Sequence, residues 1–103
     1  MSTVKVAAAQ IRPVLFSLDG SLQRVLDAMA EAAAEGVELI VFPETFLPYY
    51  PYFSFVEPPV LMGRSHLALY EQAVVVPGPV TDAVGAAARQ YGMQVLLGVN
   101  ERD

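Results

Sequence analysis

Three apolar runs in the chain show no alternation: "VKVAAAQI" from Val4 to Ile11, "ELIVF" from Glu38 to Phe42, and "MQVLLGV" from Met93 to Val99. A strand with one wet face alternates apolar and polar side chains, whereas a parallel strand covered on both faces reads as one apolar run. The pattern predicts a parallel sheet, and parallel strands need long crossover connections, usually helical. Leu22, Val25, Leu26, Met29 and Ala33 share one helical stripe, with Gln23, Arg24, Asp27, Glu31 and Glu35 facing away. Ser17 or Asp19 can cap the start of that helix, and Gly36 can end it in the left-handed conformation. A second helix is predicted from Pro59, whose missing N–H costs nothing at a helix start, to about Ala73. A third is predicted from Thr81 or Asp82 to Gly92, with Val84, Ala87, Ala88 and Tyr91 at helical spacing. "VVVPGPV", Val74 to Val80, reads as an extended segment or turn between them. The fold class is α/β, in the order β-α-β-α-α-β.

Three strands leave a sheet edge unprotected and a core unfinished. The 103 residues, 54% of them hydrophobic and 17% charged, are globular in character but amount to one domain at most. The chain is therefore expected to be the first part of a larger domain. Its net charge of -5 and singly scattered basic residues (Lys5, Arg12, Arg24, Arg64, Arg89, Arg102) exclude nucleic acid as a partner. Without cysteine there is neither a disulfide nor a thiolate metal site. The amino terminus has no basic stretch leading into an apolar one, and no apolar run is long enough to cross a bilayer. A cytoplasmic protein with no membrane partner is the expectation. No Gly-rich phosphate loop follows a strand, and Asp and Glu do not cluster at metal-ligand spacing.

One acid stands apart. In "VFPETFLPYYPYFSF", Val41 to Phe55, Glu44 follows the second strand after a single proline and precedes a stretch of aromatic residues and prolines. Ligands of open α/β sheets bind beyond the carboxyl ends of the strands, where Glu44 is placed. An acid held between a buried strand end and aromatic rings is partly desolvated, which raises its pKa toward the range a general base needs. The residues alone also fit a solvated acid after a strand. The aromatic loop is open in the same way: Pro48, Tyr49 and Tyr50 can wall a small-molecule pocket, or the loop can stiffen a surface excursion. Tyr50, six positions after Glu44 on a proline-stiffened path, is the foremost pocket candidate. His66, the one histidine, has no nucleophile motif beside it and reads as structural or exposed. Met29, Met62 and Met93 read as core fillers.

The series "VAAAQI", "GVELIVFPET" and "YGMQVLLGVNER" resembles the amino-terminal part of the nitrilase superfamily of carbon–nitrogen hydrolases. "LIVFPE" followed by "FLPYYPYFSF" and "EPPVLMG" resembles the nitrilase branch, and bacterial nitrilases closely. The resemblance implies an α-β-β-α sandwich in which a Glu, a Lys and a Cys act together. The thiolate attacks the nitrile carbon, and water takes the thioimidate through a thioester to a carboxylic acid and ammonia. Glu44 matches the general base of that set. The resemblance implies no metal or organic cofactor, a nitrile as small-molecule partner, and a homo-oligomer. This chain departs from the pattern in lacking Cys, and its one lysine, Lys5, lies before the acid rather than after it. Lys5 is therefore not carried over, and the remaining carboxyl-terminal polypeptide is an implied partner. An amidase of the same superfamily and a non-catalytic assembly module are the alternatives.

Overall fold

The computed structural model describes residues 2–103. Its centre is a three-stranded parallel sheet of β1 (Val6–Ala8), β2 (Leu39–Val41) and β4 (Gln94–Leu96), in the order β1-β2-β4. Ala7, Ile40 and Val95 stand in one row across it. The ladders are shorter than the apolar runs that hold them, but they fall inside all three.

Helix α1 (Leu18–Ala34) links the first two strands. The Ser17 hydroxyl accepts from the Gly20 N–H at 2.9 Å, meeting one of the donors that a helix start leaves unpaired. At the other end Gly36 takes φ 78°, and the N–H groups of Gly36 and Val37 donate to Ala33 and Ala32. That pairing needs a left-handed residue, which glycine adopts without steric cost. Between the caps, Val25 and Met29 are fully buried.

The expected second helix is divided. A short helix α2 (Phe53–Val56) and a 3-10 turn at Pro59–Leu61 precede α3 (Met62–Gln72). Helix α4 (Pro79–Tyr91) begins two residues before Thr81. Proline is as suitable at the first helical position here as at Pro59, and the Thr81 hydroxyl accepts from the Gly78 N–H at 2.9 Å. Gly92, at φ 59°, ends the helix, and the Met93 N–H returns to the Ala88 carbonyl at 2.9 Å.

Two strands were not anticipated. β3 (Val74–Val75) and β5 (Glu101–Arg102) form a separate parallel pair. The connecting segment is thus extended, as read, but it also pairs. The charged end of the chain gives no apolar signal for a strand.

Coverage of the sheet differs from expectation more consequentially. Helices α1 and α4 lie on one face, where Val25, Met29, Ile40, Val80 and Val84 form a single buried cluster. On the opposite face Val6 is 60% exposed and Leu96 is 62% exposed. The continuous apolar runs predicted cover on both faces, and this chain supplies one. No helix among the described residues is long and apolar enough to cross a membrane.

Candidate active site

Glu44 owes its position to what holds the chain on either side of it. The Ala9 N–H donates to the Val41 carbonyl at 2.8 Å, and the Phe42 N–H to the Leu96 carbonyl at 2.9 Å, which carries the central strand to its end. Pro43 has no N–H and stops the ladder. Phe42 and Phe46 are both buried, with ring centroids 5.7 Å apart. Two apolar anchors four residues apart turn the segment between them outward. Thr45 makes the bend at φ 46°, a strained conformation for a β-branched residue. Strain of order 1–3 kcal/mol persists only where the surroundings over-determine it, and such positions gather at functional sites.

The acid therefore stands at the carboxyl edge of the sheet, on its middle strand. It borders a cleft of about 280 Å³ lined by Ile11, Pro13, Pro43, Phe46, Tyr50 and Tyr52. Ile11 and Pro13 lie just beyond β1, so the cleft joins the exits of two neighbouring parallel strands, as the topology of such sheets favours. Its lining is apolar apart from the carboxylate and the two tyrosines. Glu44 itself is exposed among the described residues, and the expected desolvation is not supplied by this chain. Lys5, at the opposite end of the sheet, donates to the Glu35 carbonyl at 2.8 Å.

The aromatic loop divides between two roles. Tyr50 lines the Glu44 cleft, packs on Tyr52 at 5.3 Å and stacks on Phe55 at 6.1 Å with the rings 3° from parallel. Pro48 and Tyr49 are fully or almost fully buried and are absent from that lining. Tyr49 packs on Phe16 at 5.5 Å, and its hydroxyl has no hydrogen-bond partner among the described residues. Burial raises the pKa of that hydroxyl, because the anion would lose its hydration. Tyr49 also borders a second hollow of about 320 Å³ with Leu15, Phe16, Phe53 and Val56, and Tyr50 and Tyr52 border both.

His66 is exposed and meets Phe53 edge-on at 4.8 Å, away from the Glu44 cleft. Met29 and Met93 are core residues, while Met62 is half-buried. A broader hollow of about 840 Å³ between Phe16 and α3 contains Glu57, which is hydrogen-bonded to Ser65. No group of three or more His, Asp or Glu among the described residues is placed to hold a metal ion. Sequence reasoning missed Ile11, Pro13, Phe46 and Tyr52 as cleft residues. The signal for the first two was their place at the exit of a strand adjacent to β2.

Residues 5–103 match the carbon–nitrogen hydrolase family. The chain is 63% identical over 100 residues to a nitrilase of Paraburkholderia phymatum, covering 97% of this chain and 29% of that protein. It is 36% identical over 103 residues to an aliphatic nitrilase of Rhodococcus rhodochrous, covering 99% of this chain and 28% of the relative. A cyanide hydratase of Armillaria gallica is 33% identical over 105 residues, covering 98% of this chain and 28% of the relative. The chain thus spans less than a third of the length of these relatives.

Proposed function

The chain belongs to the carbon–nitrogen hydrolase family, and from that premise we propose that it is the general-base segment of a nitrilase. The observation that carries this reading is the isolated carboxylate of Glu44 at the edge of an otherwise apolar, tyrosine-walled cleft. A nitrile has a small polar head on an apolar body, and a cleft with one carboxylate among aromatic rings suits both parts.

In this reading Glu44 takes a proton from the attacking thiol, and later from water. It returns protons to the nitrogen that leaves as ammonia. The balanced reaction consumes two water molecules per nitrile and yields one carboxylic acid and one ammonia. The Cys and Lys of the site come from the remaining carboxyl-terminal polypeptide, which also encloses Glu44 and removes it from water. The bare sheet face bearing Val6 and Leu96 supports a second sheet packed there, hence an α-β-β-α sandwich. The reading takes the complete protein to be a cytoplasmic homo-oligomer.

The test is product analysis with the complete polypeptide on matched nitrile and amide substrates. Equal release of ammonia and carboxylic acid from the nitrile is the expected result. Accumulation of the amide in place of the acid indicates a hydratase, a reading raised by the cyanide hydratase relative. Hydrolysis of the amide alone indicates an amidase, and no turnover of either indicates an assembly module.

Tyr50 provides a separate expectation. It is half-buried, and its ring contributes to the cleft rather than to the main core. Tyr50→Ala in the complete enzyme should alter the ratio of kcat/KM values between aromatic and short aliphatic nitriles by about 10-fold or more, since pocket contacts of this size are worth 1–3 kcal/mol. A changed melting temperature with an unchanged substrate profile would assign the ring a structural role only.

A further inference from the structure

Gly98, two residues past β4, lies directly against the backbone that carries Glu44. A Cβ on residue 98 would sit 2.7 Å from the Thr45 amide nitrogen, 2.9 Å from Glu44 Cα and 3.0 Å from the Pro43 carbonyl oxygen. All three are backbone atoms, so no rotamer change relieves the approach. Gly63 and Gly85, in contrast, have nothing within 4 Å of such an atom. The segment after Gly98 then grips the loop from the same side. The Leu47 N–H donates to the Gly98 carbonyl at 3.3 Å, and the Asn100 N–H to the Leu47 carbonyl at 2.8 Å. The Asn100 side-chain amide donates to the Tyr49 carbonyl at 3.3 Å.

We propose that Gly98 is a positioning residue for Glu44: its bare Cα is the surface on which the acid's backbone rests, with the Gly98–Asn100 hydrogen bonds holding the loop in place. Thr45 is kept at its positive φ by the same contact, because a loop free to relax would leave that conformation. Any side chain at position 98 forces the Pro43–Thr45 backbone, and Glu44 with it, away from residue 98. A general base acts only within hydrogen-bond reach of its proton, and a misplacement approaching 1 Å costs up to roughly 10²-fold. The proposal rests on the reading of Glu44 as the general base.

The experiment compares four variants of the complete enzyme: Gly98→Ala, Glu44→Gln, the double variant, and Gly85→Ala as a control on the exposed face of α4. Gly98→Ala should lower kcat by roughly 10- to 100-fold and change KM by less than about threefold. Gly85→Ala should retain parental kcat. In the Glu44→Gln background the Gly98 substitution should cost less than about twofold, because the group it displaces no longer acts. An equal loss in both backgrounds overturns the proposal, as does parental kcat in Gly98→Ala. If Gly98→Ala does not fold, Asn100→Ala deletes only the tether to Tyr49 and is put through the same comparison. A loss seen only when Glu44 is present supports the proposal, whereas an equal loss, or none, overturns it. Parental turnover by Glu44→Gln refutes the general-base reading itself, an outcome distinct from failure of the positioning role.

Discussion

Expressed by itself, the 103-residue chain should not melt cooperatively as a monomer. Its radius of gyration is 15.1 Å, whereas a compact domain of this length has about 13 Å. Its extents of 56 × 26 × 20 Å describe an elongated body with a thin core. Val56 and Val60 are 80% and 87% exposed, Phe55 is 74% exposed, and one whole face of the sheet has no cover. Ordering costs about 1.5 kcal/mol per residue, and a small core offsets this only when nearly all its apolar surface is buried. Here much of that surface faces water, where it favours association over folding alone. Circular dichroism melting combined with a sedimentation measurement checks the expectation. A broad or absent transition, or an oligomer, is the expected outcome. Mixing with the carboxyl-terminal part of the enzyme should restore a cooperative transition and nitrile hydrolysis. A sharp melt from a monomer would show that the segment is a self-sufficient domain.

The parts of this fold that were legible in the sequence are those governed by local chemistry. Ser17 caps a helix because its hydroxyl reaches the Gly20 amide, and Gly36 and Gly92 end helices because each takes a positive φ. Leu39, Ile40 and Val41 form the central strand where the apolar run placed it. What escaped depended on partners distant in sequence. Val74 and Val75 become a strand only because Glu101 and Arg102 lie beside them, and neither stretch carries a pattern long enough to announce it. The apolar runs led to an expectation of two covered faces, yet the chain covers one. An apolar pattern reports the environment a strand is suited to, and the helices of this segment occupy only one side of the sheet.

The site divides in the same manner. The position of Glu44 was legible, because a carboxylate that follows an apolar run and a proline falls at the carboxyl end of a parallel strand, the end where ligands of such sheets bind. Its surroundings were less visible. Pro48 and Tyr49 stood next to Tyr50 in the same aromatic stretch, but the turn at Thr45 and the anchor at Phe46 send them into the interior and Tyr50 to the cleft. Gly98 gave only half a sign. A glycine inside an apolar strand run marks a close backbone approach, but the sequence does not say to what.

Replacement of Glu44 by Gln is the most direct test of the account. The change keeps the shape of the side chain and removes its ability to take a proton. The amide is isosteric with the carboxylate, so the change leaves no cavity, and the melting temperature of the variant is measured beside its activity. Any loss of activity can therefore be separated from a loss of fold. A general base contributes roughly 10²–10⁴-fold to rate, so kcat for ammonia release from a nitrile should fall by that factor while the melting temperature stays near the parental value. Parental kcat in a correctly folded Glu44→Gln enzyme would contradict the assignment of this chain as the carrier of the general base.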